Sequence, residues 1–268
     1  MKKYLLVTLL LTMLLTSSAQ AAPLDDYSKA GNWGVSIFTQ RTDMDDTITS
    51  TTNTASGKRF FDYDDAKWSW GGEVTVSVMP RFALSFDYLG SKSKDTVLFT
   101  APSGYFASNS SKLNSYNIKL KYQVYKDEKL FIAPYLGVAL NKLQQKYTPN
   151  YPAMGYFTHS YDSKRKTSVL AGVTAVYSLD KDNRFKTYFD GAVGNKVYSW
   201  NLGLAYGVSK NLDLDFGYRY YRAKDMSYAH PDTPYVTSSG WPTYMAAVYG
   251  TMDSKSKGLY FGLSYRFN

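Results

Sequence analysis

The sequence contains no cysteine, has His159 and His230 as its only histidines, and lacks any long apolar run after its N-terminus. Without cysteine the chain can form no disulfide framework and cannot be anchored as a lipoprotein. Its later apolar runs fall short of the ~18 residues that a membrane-spanning helix needs. Metal-ligand spacing, glycine-rich phosphate loops and nucleophile motifs are also missing, so we predict no catalytic residue, no cofactor site and no metal site.

Aromatic and basic residues are abundant instead. Aromatic residues make up 17% of the chain and include 26 tyrosines. Tyrosine and tryptophan are enriched where one end of a ring lies in lipid and the other in water. Lysine and arginine number 31 against 22 acidic residues, a formal net charge of +9. Because the N-terminus predicts export, we expect this charge to meet lipid phosphates and no nucleic acid.

The first 21 residues have the organisation of a secretory signal peptide. A basic start, Met1-Lys2-Lys3, precedes an apolar stretch over 4–16 that is too short to remain as a spanning helix. The small-x-small site Ala19-Gln20-Ala21 predicts cleavage after Ala21, because a cut one residue later would place Pro23 directly behind it. We therefore predict an exported protein whose mature part is 22–268.

From Trp33 onward the sequence alternates between two chemically different faces. In the last strand one face carries Leu259, Phe261, Leu263, Tyr265 and Phe267, and the other carries Gly258, Tyr260, Gly262, Ser264 and Arg266. A period of two residues is that of a β-strand whose sides face different surroundings. We recognise ten such runs, or eight if the runs between 167 and 208 are merged differently.

The connections between these predicted strands are either short or long. The long ones lie near 44–66, 93–112, 144–165 and 224–256. Short turns at one end and long loops at the other are typical of a transmembrane β-barrel. We therefore predict an all-β fold, a closed antiparallel up-and-down transmembrane barrel of ten strands, with eight as the alternative. A soluble barrel is disfavoured because the large apolar side chains share the face opposite to glycine, serine and charge.

The last two strands resemble those of a known family. The tail Tyr260-x-Gly262-x-x-Tyr265-x-Phe267 resembles the C-terminal assembly signal of bacterial outer-membrane barrels. The stretch Tyr218-Arg219-Tyr220 is similar to the penultimate strand of the small OmpA/OmpX-like and opacity-protein barrels. This resemblance implies insertion by the barrel-assembly machinery and residence in the outer membrane. Asn268 departs from the pattern, since family members usually end in the aromatic residue itself.

The face predicted to line the lumen carries equal numbers of opposite charges. Its acids are Glu73, Asp87, Asp190, Asp213 and Asp215, and its bases are Lys119, Lys121, Lys186, Arg219 and Arg266. An isolated charge is very costly in a narrow lumen, so we predict a network of salt bridges. Glycines at 71, 203, 217 and 262 should leave unfilled space on this face, which keeps a narrow pore as the alternative.

The predicted long loops contain aromatic residues among small polar ones. Candidates for recognition are Tyr156, Phe157, Tyr235, Trp241 and Tyr244. Rigid rings in such surroundings are typical of recognition loops, although they could equally pack on the barrel rim or face lipopolysaccharide. We therefore predict a surface protein with a structural and surface-interaction, adhesin- or opacity-like role. Its expected partners are outer-membrane lipid, lipopolysaccharide and a host or cell-surface ligand.

Two other functions stay open. A narrow pore for small solutes is the first. A rim hydrolase or protease is the weaker one, since its best candidate residues are His230 and Asp232, on either side of a proline.

Overall fold

A computed structural model describes residues 26–51, 56–62, 66–93, 96–100, 106–151, 155–156, 159–230, 233–236, 242–245 and 248–267. Within these ranges the chain is almost entirely β-strand. No helix in the described part is long and apolar enough to cross a bilayer.

The strands in chain order are β1 (Trp33–Thr51), β2 (Ser56–Asp62), β3 (Lys67–Met79), β4 (Phe82–Lys92), β5 (Thr96–Thr100), β6 (Phe106–Tyr122), β7 (Tyr125–Lys126), β8 (Leu130–Tyr151), β9 (Gly155–Tyr156), β10 (His159–Asp162), β11 (Lys166–Ser178), β12 (Phe185–Gly194), β13 (Val197–Gly207), β14 (Leu212–His230), β15 (Thr233–Val236), β16 (Pro242–Met245) and β17 (Val248–Phe267).

Ten of these strands close into an antiparallel barrel. Its order is β1-β3-β4-β6-β8-β11-β12-β13-β14-β17, and β17 returns to β1. Trp33 stands opposite Phe267 at the start of the closing pair. The fold class and the count of ten are confirmed, and the alternative of eight strands is wrong. A closed ring leaves none of these ten strands with an unpaired edge along the barrel wall.

Strands also occupy much of the segments that were predicted as long loops. The hairpin strand β2 pairs with β1, and β5 pairs with β6. β9 and β10 pair with β8, while β15 and β16 form a separate two-stranded sheet. The wall strands β1, β6, β8, β14 and β17 run into these segments as well. The barrel wall therefore continues beyond the reach of a typical ~10-residue membrane strand.

The apolar belt on the outside of the barrel is bounded at each end by a girdle of aromatic residues, which we call an aromatic ring. At the short-turn end Trp33 stacks on Phe267, with ring centroids 3.7 Å apart. At the other end Tyr88 lies between Trp70 and Tyr116, at 4.8 and 5.0 Å. Aromatic girdles of this kind lie at the two interfaces of a membrane. We call the wall beyond the second ring the extension (42–51, 106–113, 139–151, 222–230 and 248–257).

One side of the extension is closed by residues 163–164, which pass above β11, β12 and β13. The β12–β13 turn after Gly194 is short, so β11, β12 and β13 do not reach the height of their neighbours. Above them Ser163 forms a bridge to Tyr228 of β14. The amide of Lys164 donates to the Ser227 carbonyl at 2.8 Å, and that of Ser163 to the Leu143 carbonyl at 2.8 Å. The segment thus joins β8 directly to β14.

The apolar face changes sides where the wall enters the extension. On β1, Ile37 points outward and is 58% exposed, whereas Met44, seven residues later, points inward and is 1% exposed. An odd separation on a strand places two residues on opposite faces. Apolar side chains therefore face outward along the belt and inward in the extension. This change fits lipid around the belt and water around the extension, since apolar surface is buried away from water.

Candidate functional site

The short-turn end of the lumen is closed by the segment before β1. Tyr27 is fully buried there, and its ring makes an edge contact with Phe131 at 5.1 Å. Its amide donates to Oε1 of Gln123 at 3.0 Å, and its carbonyl accepts from the Arg81 amide at 2.6 Å. The sequence indicated only a short polar segment here. Nothing in the alternation pattern showed that one of its side chains would fill the barrel.

An ion pair holds this segment at the mouth. Nζ of Lys126 lies 2.7 Å from a carboxylate oxygen of Asp26. Partial burial raises the pKa of Asp26, but hydrogen bonds from Lys126 and Ser28 outweigh it, so the pKa lies below its usual value. The contribution of this pair to stability is therefore present above the ordinary carboxyl pKa and is lost as the pH falls through the lowered one.

An aromatic layer follows above Tyr27. The hydroxyls of Tyr188 and Tyr260 are hydrogen-bonded to each other, and Phe38 makes an edge contact with Tyr260 at 5.9 Å. The Arg219 guanidinium lies 3.9 Å from the centre of the Phe38 ring. A cation over an aromatic face is attracted by the ring's quadrupole, so the Phe38 ring stabilises the Arg219 charge inside the lumen.

The lumenal glycines make room for these rings. A Cβ at Gly203 would lie 2.4 Å from the Tyr260 hydroxyl, and one at Gly217 would lie 2.6 Å from it. A Cβ at Gly71 would lie 2.3 Å from Cζ of Phe38, and one at Gly262 would lie 3.1 Å from Cβ of Phe38. The expectation that these glycines leave unfilled space is therefore wrong. Alternation shows which face a glycine is on, but not which distant side chain fills the gap.

We expect Gly203→Ala to lower the free energy of unfolding by about 1–3 kcal/mol, because the added methyl group overlaps a tightly packed tyrosine pair. The measurement is equilibrium denaturant unfolding of the refolded barrel, followed by tryptophan fluorescence. Adding Tyr260→Phe removes the nearest oxygen and should recover part of the loss. Wild-type stability of the single variant would show that the pair can move aside.

Five of the ten predicted lumenal charges form one cluster. Nζ of Lys119 lies 2.9 Å from Asp87 and 3.4 Å from Asp190. Nζ of Lys121 lies 2.6 Å from Glu73. Both lysines are buried, and β3, β4, β6 and β12 supply the five side chains. We call Glu73, Asp87, Lys119, Lys121 and Asp190 the charge cluster.

Neutral donors complete the coordination of these carboxylates. Asp190 accepts from the Tyr135 hydroxyl at 2.9 Å and from the Thr174 hydroxyl at 2.6 Å. Asp87 accepts from the Asn117 amide at 2.5 Å, and Glu73 accepts from Thr75 at 2.9 Å. Charges that are paired and hydrogen-bonded in this way can remain in a low-dielectric interior.

The other five predicted charges lie elsewhere in the lumen. Asp215 accepts a hydrogen bond from Ser264, and Arg219 contacts the aromatic layer. Lys186, Asp213 and Arg266 are buried on the inner face at the short-turn end. The free space that borders the charge cluster and the aromatic layer amounts to about 60 Å³. That volume is enough for one or a few waters.

An apolar core fills the lumen above the charge cluster. Its largest fully buried members are Met44, Leu113, Leu143, Met226 and Met252. Leu113 stands directly opposite Leu143 in the β6–β8 pair. The sequence analysis missed this core, although Met44 and Met252 gave a signal. Both methionines lie on the face that carries polar residues elsewhere in their strands. Their position indicates that this face is in contact with an apolar core at their height.

Charged side chains surround the outside of the extension. Lys257 lies 3.2 Å from Asp43 and 3.3 Å from Asp45, and Arg222 lies 3.4 Å from Asp253. Burial lowers the pKa of Lys257, but the carboxylates of Asp43 and Asp45 outweigh it and leave the pKa raised. We call this belt of charge the collar. Among the described residues there is no group of three or more histidines and carboxylates that could hold a metal ion.

The structure describes the side chains of the predicted assembly residues but not those of the predicted recognition residues. Tyr156, Tyr235 and Tyr244 lie in short strands, but their side chains, and Phe157 and Trp241 as a whole, lie outside the described residues. In the last strand Phe267 points outward, whereas Tyr260, next to Phe38, points inward. The role of Tyr260, Gly262, Tyr265 and Phe267 as an assembly signal stays a prediction.

Residues 7–267 match the family described as outer membrane protein beta-barrel domain. Comparison with curated proteins gives no match.

Several solved structures are similar to this chain at low sequence identity. The outer membrane protease OmpT of Escherichia coli is 11% identical, with 95% of this chain and 100% of that chain covered and a TM-score of 0.52. Neisserial surface protein A is 16% identical, with 89% and 98% covered and a TM-score of 0.32. Ail, the attachment invasion locus protein of Yersinia pestis, is 9% identical, with 89% and 99% covered and a TM-score of 0.35. At such identities the likeness concerns the fold alone.

Proposed function

The chain belongs to the outer membrane protein β-barrel domain family, and we propose that it acts at the bacterial cell surface as a closed, non-conducting barrel whose extracellular hairpins bind ligands. In this family's architecture the short turns face the periplasm and the long hairpins face outward. The extension is then the extracellular part of the wall, and Tyr27 fills the periplasmic mouth.

The observation that carries this proposal is the filled lumen. Tyr27 occupies the periplasmic mouth, the Tyr188–Tyr260 pair and the charge cluster occupy the middle, and the apolar core occupies the extracellular half. A conducting pore needs a continuous wet path, commonly lined by charge of one sign. Here the lysines of the charge cluster each pair with carboxylates, and the apolar core and buried hydrogen-bonded side chains such as Asp46 and Gln145 pack the lumen above them. The barrel therefore works better as a rigid support than as a passage.

The extension supports the surface role. Its wall is closed by the bridge between Ser163 and Tyr228, and its interior is a packed core. The hairpin strands β2, β5, β9, β10, β15 and β16 all lie in the connections at this end. A recognition site on a rigid scaffold loses little conformational entropy when it binds a partner. The aromatic candidates Tyr156, Tyr235 and Tyr244 belong to these hairpins.

The pore alternative is tested by conductance. We expect purified, refolded protein to give no single-channel steps in planar bilayers and no solute uptake into liposomes. Faster gel migration of the unheated protein than of the boiled protein serves as the control that the barrel is folded. Reproducible steps from such folded protein would contradict the closed lumen.

The recognition role is tested by removing a hairpin tip without touching the wall. Because β14 and β17 are wall strands up to 230 and from 248, the replaced segment should be 231–247 rather than the whole predicted loop. A glycine–serine linker at this position should reduce adhesion of whole cells to host cells or matrix proteins. The matched control replaces 101–105 in the β5–β6 connection. Unchanged adhesion of the 231–247 variant would reject this hairpin as the recognition surface, and an equal loss in the control would show that the effect is not specific to it.

A rim hydrolase or protease is not proposed. The family description names a barrel domain and no reaction, and the likeness to OmpT extends only to the fold. The side chains on which this alternative depended, those of His230 and Asp232, lie outside the described residues.

A further inference from the structure

Four lysines border a shallow groove on the barrel wall, on the side away from the closing strands. They are Lys67 of β3, Lys92 of β4, Lys112 of β6 and Lys146 of β8. Lys67 stands opposite the buried Thr42 and belongs to the inner face, so we call the other three the lysine patch. The groove has a volume of about 280 Å³, and its other lining residues are serines and glutamines. No acidic residue of the described part lines it.

Strand register brings like charges together here. Lys92 stands directly opposite Lys112, which in turn stands opposite Gln144 on the other side. In the next row Ser110 stands opposite Lys146. Like charges at directly opposite positions destabilise a sheet unless an anion lies between them. A row of this kind therefore indicates an anionic ligand.

The rest of the collar shows what this wall does elsewhere with its cations. On β17 and β14, Lys257 pairs with Asp43 and Asp45, and Arg222 pairs with Asp253. Lys196 likewise pairs with Asp225. The collar is thus neutralised by its own carboxylates on the side of the closing strands. On the side of β4, β6 and β8, Asp162 pairs with Lys142 at 3.1 Å, whereas Lys92, Lys112 and Lys146 form no ion pair among the described residues.

The height of the lysine patch matches the headgroups of the outer leaflet. Tyr88 and Tyr116, which belong to the outer aromatic ring, stand opposite each other four residues below the Lys92–Lys112 pair. With a rise of ~3.3 Å per residue and a strand tilt of ~40°, the lysines lie on the order of 10 Å above the aromatic ring. Below that ring Ile118 and Leu120 present about half of their surface outward. A lipid on this wall would meet an apolar surface, then tyrosines, then lysines.

We propose that the lysine patch binds the phosphate groups of the outer-leaflet glycolipid, lipopolysaccharide, whose acyl chains lie against the apolar wall below. The ammonium groups of Lys92, Lys112 and Lys146 supply the charge, and the Ser110 hydroxyl supplies a neutral hydrogen bond, whereas the Gln144 amide already donates to Asp162. This site goes beyond the proposed surface role and does not depend on it, because it uses the wall and leaves the hairpin tips free.

The test compares binding of lipid A with and without its phosphates. Folded protein in detergent should bind bisphosphorylated lipid A and gain thermal stability, whereas dephosphorylated lipid A of the same acylation should give neither effect. The variant Lys92→Gln/Lys112→Gln/Lys146→Gln should bind lipid A on the order of 100-fold more weakly, given the usual contribution of each lysine near an anionic surface. The matched control, Lys129→Gln/Lys181→Gln/Lys210→Gln, loses the same charge in the short turns and should bind as the wild type does.

Three results would overturn the proposal. Equal binding of the phosphorylated and dephosphorylated lipids by the wild type needs no variant and would remove the phosphates from the interaction. Equal weakening in the control variant would show that the loss of binding follows from the net charge of the protein and not from the position of the three lysines. Equal stabilisation by free inorganic phosphate at the concentration of the lipid would make the groove a general anion site rather than a lipid site. An arginine version of the triple variant, which keeps the charge, should retain binding and covers the case in which the glutamine version fails to fold.

Discussion

Replacement of Lys119 by methionine is expected to lower the free energy of unfolding by about 3–5 kcal/mol, because it leaves two buried carboxylates without their shared cation. Lys119 lies 2.9 Å from Asp87 and 3.4 Å from Asp190, in the middle of the lumen. Methionine fills nearly the same volume as lysine, so the variant removes the charge and creates little cavity. Denaturant unfolding of the refolded barrel in lipid vesicles, followed by tryptophan fluorescence, measures the loss.

The matched controls separate charge from packing. Adding Asp87→Asn and Asp190→Asn to Lys119→Met removes the repulsion and should recover most of the stability. Lys210→Met, at an exposed position in the turn before β14, should change stability by less than about 0.5 kcal/mol. A single variant as stable as the wild type would show that water, rather than Lys119, screens the two carboxylates. A triple variant as unstable as the single one would assign the loss to packing.

Leu143→Ala is expected to weaken the extension by about 2–5 kcal/mol, because it leaves a cavity in the apolar core. Leu143 is fully buried, stands opposite the equally buried Leu113, and exchanges hydrogen bonds with Ser163 through its main chain. We expect the extension to open locally while the belt below stays folded. Faster amide hydrogen exchange in the upper parts of β6 and β8, together with unchanged gel mobility of the unheated protein, would show this.

Leu136→Ala is the control for this variant. Leu136 belongs to the same strand as Leu143, lies on its opposite face and is 67% exposed on the belt. The same chemical change there leaves no cavity, and its cost should stay below about 1 kcal/mol. If both variants speed exchange equally, the upper lumen is not a separate core. If Leu143→Ala instead abolishes heat-modifiable mobility, the extension and the belt unfold as one unit.

The barrel itself could be predicted from the sequence because its evidence is local. Alternation at a period of two depends only on neighbours along the chain, and it showed that Ile37 and Phe261 share the outer face. The same reasoning gave the count of ten strands, with eight as the alternative. It also placed all ten lumenal charges on the inner face. It could not say which acid meets which base, because register differences along several strands decide that.

Three features of the lumen could not be predicted from the pattern. Tyr27 belongs to no strand, so alternation could not place it inside the barrel. The space at Gly203 and Gly217 is filled by Tyr260, which alternation did not connect with them. The bridge from Ser163 to Tyr228 crosses over three strands and has no sequence signature. Each of these features narrows or closes the barrel, and together they change the interpretation from a partly open lumen to a filled one.

The sequence by itself determined that this chain folds as a ten-stranded barrel with an apolar outside and a charged inside, because these properties follow from local composition and a two-residue period. Only the tertiary structure decided what fills the lumen, where the apolar face turns inward and where the collar stays positive. Those outcomes depend on pairs such as Lys119 and Asp190, which are 71 positions apart, and on strand register across the wall. Closing the ring brings these residues together, and their distance along the chain carries no local signal.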